Sequence, residues 1–375
     1  MRVGVIGGGQ LGRMLGFAGI PLGCTFTFLD PSAEAGARAA GELIVAPYDH
    51  ETSLDRLAAM SEVVTYEFEN VPADAAARIA DRVPVLPSPL SLEVTRNRAR
   101  EKEVFERSGI STPRYRVVES AQDLSLAIDD LGIPCVVKTL TEGYDGKGQI
   151  VVRSGGEKKE AIRRFGERPV IVESFVAFDR ELSVIGVRSH DGDLAIYPLV
   201  ENVHHEGILR VSRAPAPRAE ALREAAEAMM KELLEDLGHV GALTLEMFER
   251  DEDLIANEMA PRVHNSGHWT IEGAETSQFE NHIRAITGLP LGSTRPRGHS
   301  VMVNLIGALP LPHDVLAVNG AHLHLYDKAP RPGRKLGHVT VRADAPEEVE
   351  AAVDRLRGLA GAYLDPPGTV RHGNS

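Results

Sequence analysis

Two cysteines, Cys24 and Cys135, are all that 375 residues contain. Both sit in apolar surroundings, and their spacing forms neither a metal-ligand nor a redox motif. That excludes a disulfide scaffold and leaves two buried thiols in a reducing cytoplasm. No apolar run approaches the ~20 residues that a membrane-spanning helix needs. The stretch Met1-Arg2-Val3-Gly4-Val5-Ile6-Gly7 turns glycine-rich too early for a secretory signal, so a cytoplasmic location is expected. Basic charge is scarce as well. Against 54 Asp and Glu stand 41 Lys and Arg, and the net charge of -13 argues against nucleic acid or an anionic membrane as partner. Internal repeats and low-complexity tracts are missing too.

What remains is an ordinary globular composition, 43% apolar and 25% charged, in a chain long enough for two or three structural units. The first hundred residues alternate strand and helix signals. Apolar runs at Val3–Ile6, Thr25–Leu29, Leu43–Val45 and Val63–Tyr66 give the βαβ rhythm of a parallel sheet. A charged helix is expected over Leu92–Ser108 and another from Ser120, with a capping-box pattern, to Gly132. Strands at Ile133–Lys138, Gln149–Val152 and Val170–Glu173, with a helix at Glu157–Phe165, complete a small αβ lid. Arg218–Leu237 reads as a helix with the apolar stripe Leu222, Ala225, Met229, Leu233 and Leu237. Three strands and a helix at Pro346–Leu359 follow toward the C-terminus.

Between Lys138 and Gly148 lie three glycines and two lysines, a loop able to offer backbone N–H groups and positive charge to a polyphosphate. A second phosphate-type signal, Gly7-Gly8-Gly9-Gln10-Leu11-Gly12, follows the first strand, and Asp30 ends the second. This is a complete dinucleotide fingerprint, although any anion can sit at such a helix N-terminus. Farther on, the runs Ala242–Phe248 and Leu254–Met259 read as two strands. A tight loop centred on Glu252 would put Glu246 opposite Glu258 on one face by the period of two. Facing carboxylates repel, and a divalent cation removes the conflict; Mg2+ suits, because it takes one or two carboxylates and fills its other positions with phosphate oxygens and water. Asn257 belongs to the other face unless the strand bulges there. Tyr66-Glu67-Phe68-Glu69-Asn70 places acids at a strand end where open sheets bind ligands, and Lys328–Lys335 concentrates positive charge in an acidic chain.

The stretches GGGQLGRM (7–14), GYDGKGQ (143–149), ESFV (173–176), YPLVENVHHEGI (197–208), NEMAPRVHNSGHWT (257–270) and RPGRKLGH (331–338) together resemble 5-(carboxyamino)imidazole ribonucleotide synthase. That family comprises ATP-grasp ligases of purine biosynthesis, and the likeness spans nearly the whole chain. The resemblance implies an α/β and α+β architecture in three parts. These are an N-terminal parallel αβ (pre-ATP-grasp) domain over 1–97, an ATP-grasp domain over 98–290 with a hinged lid at about 112–172, and a small C-terminal domain over 291–375.

It further implies ATP contacts at Arg98, Lys138, Gly143, Tyr144, Asp145, Gly146, Lys147, Gly148 and Gln149. The adenine hinge falls on Glu173, Ser174, Phe175 and Val176, the ribose contact on Glu181, and a further nucleotide contact on His204. Glu246 and Glu258, with Asn257, match the metal-binding set. Arg262, His264, Asp145 and Lys147 form the catalytic group. Tyr144, Lys328, Arg334 and Lys335 match substrate contacts, to which Gln10 and Glu67 at the sheet edge are added. The implied reaction is carboxylation of 5-aminoimidazole ribonucleotide by bicarbonate at the expense of ATP, through carboxyphosphate, in a homodimer. Bicarbonate is a poor electrophile, which is why phosphorylation must precede attack by the amine. Either His264 or Asp145 would take the amine proton. A formate-using ATP-grasp transformylase and an NAD-dependent dehydrogenase stay open as alternatives.

Overall fold

The structure, a computed structural model, describes residues 1–141 and 148–360. Four strands, β1 (Arg2–Ile6), β2 (Thr25–Asp30), β3 (Glu42–Val45) and β4 (Val63–Tyr66), form a parallel sheet in the order β3-β2-β1-β4. Val3, Val5, Ile6, Phe26, Phe28, Leu29, Val63 and Val64 are all buried, the unbroken apolar reading expected of strands covered on both faces. Parallel pairing brings the C-terminal ends of β1, β2 and β4 to one edge, so the glycine turn and the Glu67–Asn70 segment emerge side by side.

The expected single helix over 92–108 is two helices, Pro89–Thr95 and Arg98–Arg107. Asn97 breaks it: its Oδ1 accepts the N–H groups of Ala99 (3.0 Å) and Arg100 (3.3 Å). An asparagine that caps a new first turn outcompetes helix continuation. The second helix thereby presents Arg98, Glu101 and Lys102, neighbours by three- and four-residue spacing, on one face.

A second sheet holds β5 (Tyr115–Val118), β6 (Cys135–Thr139), β7 (Gln149–Val152) and β8 (Val170–Ser174), antiparallel in the order β5-β8-β6-β7. Helices Ala121–Leu131 and Gly155–Phe165 pack on it, their first turns capped by Ser120 (Asp123 N–H, 3.1 Å) and Ser154 (Glu157 N–H, 3.3 Å). Leu124, Ile128, Val137, Phe165 and Val172 fill the space between.

The third sheet contains β9 (Arg180–Arg188), β10 (Leu194–Ile196), β11 (Val200–His205), β12 (Ile208–Ala214), β13 (Gly241–Arg250), β14 (Asp253–Ala260), β15 (His299–Ile306), β16 (Ala321–Leu325) and β17 (Lys335–Ala343). Its order is β14-β13-β9-β11-β12-β15-β17-β16, with β10 beside β9. The strands after residue 290 therefore continue the central sheet, through the β12–β15 pairing. The helix expected over 218–237 runs from Arg223 to Asp236, and it buries Ala226, Met230, Leu233 and Leu234. Of the expected stripe, Leu222, Leu233 and Leu237 are buried and Met229 packs against the same core, whereas Ala225 is exposed and Ala226 is buried instead. No helix among the described residues is long and apolar enough to cross a membrane.

Two buried histidines join the first unit to the third. His282 Nδ1 accepts the Ala242 N–H at 3.1 Å, which leaves Nε2 to meet Thr65 Oγ1 at 2.9 Å. His239 Nε2 lies 2.9 Å from the Ala242 carbonyl, so it carries the proton, and Nδ1 faces Ser91 Oγ at 3.1 Å.

Candidate active site

A cavity of about 450 Å3 opens between the first unit and the third sheet, lined among others by Gln10, Glu67, Glu69, Arg98, Glu101, His204, Glu246, Glu258, Arg262, His264, Asn265 and Lys335. Its floor is the β13–β14 hairpin, where Glu246 lies directly opposite Glu258. The register is reached through a bulge. The turn has two residues, Asp251 and Glu252, both with positive φ (53° and 65°), and it pairs Arg250 with Asp253 and Met247 with Ala256. Continued regularly, that pairing would oppose Glu246 to Asn257. A bulge at Asn257 shifts the register by one and brings Glu258 across instead.

The two acids stand in different surroundings. Glu246 Oε1 lies 2.9 Å from His264 Nε2. Burial alone would raise its carboxyl, but His264, with His204 and Arg262 beyond, holds it down to about 2. Glu258 adds negative charge beside Glu101, whose carboxyl is pushed up to about 8, chiefly by burial and against the pull of Lys102. Glu101 also accepts the Met259 N–H at 2.6 Å. Two opposed carboxylates at a cavity floor are hard oxygen donors of the kind Mg2+ takes, and the like-charge opposition is a reason for a cation to fit.

Above the floor stands Lys138 of β6. Its Nζ lies 2.7 Å from Glu173 Oε2 and 3.4 Å from Asn257 Oδ1. Lys102, wholly buried, reaches the Asn257 carbonyl at 2.8 Å and Glu173 Oε1 at 3.5 Å. Burial would raise Glu173; Lys138 and Lys102 hold it at about 2. The Glu173 side chain thus anchors two lysines rather than facing the hinge. Next to it, the Ser174 and Phe175 N–H groups bond to the Arg114 and Pro134 carbonyls, the Phe175 ring is partly exposed beside Arg153, and Val176 is buried. Glu181 meets His204 Nδ1 at 2.7 Å; burial would lower that imidazole, but Glu181, Glu246 and Glu258 raise it. Arg98 ties down the start of the glycine loop through Nη1 to the Thr139 carbonyl (3.0 Å), and Gln149 pairs with Lys138 at its end, after Gly148 at φ 74°. Gly143, Tyr144, Asp145, Gly146 and Lys147 lie outside the described residues.

The dinucleotide reading of the first turn fails for a specific reason. Glu67 accepts the N–H groups of Gly9 and Gly12, the latter at 2.6 Å, so a carboxylate of the protein's own fills the anion position. A Cβ at Gly9 would stand 2.6 Å from that carboxylate oxygen, which is why glycine is required there. Asp30 is committed as well, accepting from Gly8 N–H (2.8 Å), Ser32 N–H (2.8 Å) and Tyr48 (2.9 Å). Gln10 accepts from Lys328; Gln10 lines the cavity, whereas Lys328 is absent from its wall. Of the basic cluster, Lys335 lines the cavity, whereas Arg334 Nη1 turns back to the Ala329 carbonyl at 3.2 Å and is absent from its wall.

The acid missed at this edge is Glu69. It faces the cavity and receives both Nε and Nη2 of Arg262 at 2.6 Å, and it is held low by Arg262 against burial. Glu101 and Lys102 were missed too, although their spacing from Arg98 on one helix is a readable signal. Asn265, within the NEMAPRVHNSGHWT stretch, also lines the cavity.

A lid sheet carrying a lysine, placed over a hairpin with opposed acids on a large antiparallel sheet, defines an ATP-grasp enzyme. Residues 103–279 match the ATP-grasp domain model, residues 1–96 the ribonucleotide synthetase preATP-grasp domain, and residues 300–352 the phosphoribosylaminoimidazole carboxylase C-terminal domain. N5-carboxyaminoimidazole ribonucleotide synthase of Pseudomonas aeruginosa is 49% identical over 362 residues, 96% of this chain and 100% of that protein. The crystal structure of N5-carboxyaminoimidazole ribonucleotide synthetase from Thermus thermophilus has 53% identity and a TM-score of 0.91, covering 95% of this chain and 98% of that one. The Aspergillus clavatus enzyme in complex with ADP and 5-aminoimidazole ribonucleotide has 32% identity and a TM-score of 0.88, covering 96% and 98%. The chain belongs to the N5-carboxyaminoimidazole ribonucleotide synthases, ATP-grasp ligases of purine biosynthesis.

Proposed function

We propose that this chain carboxylates 5-aminoimidazole ribonucleotide with bicarbonate, converting ATP to ADP and phosphate, and that it works in the cytoplasm as a homodimer. The observation that carries the reading is the opposed Glu246–Glu258 pair beneath Lys138. Glu246 and Glu258, with Asn257, would hold Mg2+, which when bound supplies charge neutralisation to the transferring phosphoryl oxygens.

A bicarbonate oxygen takes the γ-phosphoryl group, giving carboxyphosphate. The substrate amine then attacks its carbonyl carbon, the C–O bond to phosphate breaks, and the amine proton leaves. Lys138 balances charge on the phosphoryl group from a fixed position, since Glu173 and Asn257 hold its ammonium. Arg262 is oriented by Glu69 and the Val263 carbonyl, and it retains further N–H groups of its fork for the bicarbonate. Lys335 takes the ribonucleotide phosphate. Glu181 and His204 flank the nucleoside, with Phe175 and Val176 against the base. Lys138 and Gln149 flank the glycine-rich segment assigned to the triphosphate, and the mixed anhydride must be kept from water.

ADP release with the ribonucleotide present, measured with and without bicarbonate, tests this. Label from bicarbonate should enter the product. Label from formate instead would replace the reading with a transformylase, and bicarbonate-independent turnover would end it.

A further inference from the structure

Asn202 and Ser266 sit in two of the most distinctive sequence stretches, yet the chemistry above uses neither. They belong to one hydrogen-bond chain that runs from β12 to the cavity floor. Ser212 Oγ donates to Asn202 Oδ1 at 2.7 Å, Asn202 Nδ2 donates to Ser183 Oγ at 2.8 Å, and Ser183 Oγ donates to Ser266 Oγ at 2.9 Å. Ser266 Oγ in turn lies 2.9 Å from His264 Nδ1, and His264 Nε2 lies 2.9 Å from Glu246 Oε1. Ser183, Asn202, Ser212 and Ser266 are all buried, so water does not compete for these bonds.

The direction of the chain is fixed at its cavity end. The Ser266 backbone N–H can only donate, and it reaches His264 Nδ1 at 3.3 Å. That nitrogen is therefore an acceptor, the ring proton sits on Nε2, and an ionised carboxylate at Glu246 can only accept it. The His264 main chain is clamped as well: its N–H meets Gln278 Oε1 at 2.9 Å and its carbonyl receives Gln278 Nε2 at 2.6 Å.

We infer that Ser183, Asn202, Ser212 and Ser266 are positioning residues, a wire that locks His264 as a donor to Glu246 and holds that carboxylate facing Glu258. Directly opposed like charges separate when nothing restrains them, and a rigid imidazole donor supplies the restraint. Outer partners that fix a histidine's tautomer and orientation act in this way around many metal sites. A second consequence follows for the reaction. With Nδ1 accepting from Ser266 and Nε2–H committed to Glu246, the ring has no lone pair for the substrate amine, so its proton leaves to another group.

The inference rests on Glu246 being a metal-holding carboxylate, but its primary test does not. In the metal-free, nucleotide-free protein labelled with 15N-histidine, His264 should show an unprotonated Nδ1 and a protonated Nε2, its signals identified by their loss in His264→Gln. Ser183→Ala and Ser266→Ala should disturb those signals and lower kcat about 10-fold, with KM for ATP and for the ribonucleotide within about twofold of the parent. Ser212→Ala, at the far end of the wire, should do the same more weakly. A proton on Nδ1 in the parent protein overturns the inference, as does a folded Ser183→Ala protein with unchanged histidine signals and kcat. An error in the metal assignment would appear elsewhere, as unaltered Mg2+ dependence in Glu258→Gln while the parent histidine signals stay as described.

Discussion

Acidification should loosen the junction between the first and third units through His282 and His239. Both rings are fully buried and neutral, with fixed tautomers: His282 bridges Ala242 to Thr65, and His239 bridges Ala242 to Ser91. Burial is the main cause that depresses both, to about 3 for His282 and about 4 for His239; Arg188, bonded to the His239 carbonyl, adds to the second. In the unfolded chain each returns to about 6.5. Between those values the unfolded state binds more protons than the folded one, so stability rises with pH. Their contribution is complete above pH ~6.5 and is lost as pH falls toward the folded values. At about 1.4 kcal/mol per unit for each ring, the pair loses on the order of 4 kcal/mol between pH ~6.5 and pH ~5, a large part of a total of ~5–15.

His268 and His338 are also buried and depressed, so the measurement must be a difference. Urea unfolding at pH 8, 7, 6 and 5 gives the slope for the parent and for His282→Gln. At pH 8 the variant should be weaker by about 1–3 kcal/mol, from lost hydrogen bonds. Below pH 6.5 its stability should fall less steeply than the parent's, by about one proton. Parallel curves for the two proteins, or a parent stability that stays flat down to pH 5, would refute the reasoning.

Three further outcomes follow from the site. Glu258→Gln should cut Mg2+-dependent ATP cleavage about 100-fold or more, as loss of several kcal/mol of metal-derived charge stabilisation implies; steady-state ADP release over a Mg2+ titration checks it, and normal metal dependence refutes it. Lys335→Ala should raise the ribonucleotide KM roughly 10- to 100-fold, the worth of a charge-assisted hydrogen bond, while barely moving that for ATP; equal effects would place the phosphate elsewhere. Glu69→Ala leaves the Arg262 guanidinium buried without its carboxylate, which should cost about 3 kcal/mol in urea unfolding and raise the KM for bicarbonate; a stable variant with unchanged bicarbonate saturation would contradict the role given to that pair.

Local rules made much of this molecule readable. Apolar runs announced β1 to β4, and a capping box at Ser120 announced the first lid helix. The expected opposition of Glu246 and Glu258 is present, although a bulge at Asn257 and not the period of two delivers it. Even the errors were local: one asparagine cap split a helix, and in a stripe otherwise as expected Ala225 faces solvent while Ala226 is buried. The choice between Glu67 and Glu69 could not be made locally. Two residues apart on one strand end, they look alike in sequence, yet one fills the protein's own helix N-terminus and the other holds Arg262 in the cavity.

By itself, then, the sequence determined the layered elements, the glycine turns and the family, because backbone conformation and amphipathic period depend on residues a few places apart. Tertiary structure decided which groups satisfy one another across the chain: Asp30 and Glu67 closing the first turn to a nucleotide, Asn257 bulging to bring Glu258 across, Gln10 joining Lys328, and Thr65 meeting His282. A buried donor takes whichever acceptor folding delivers, and no short-range period records which one that is.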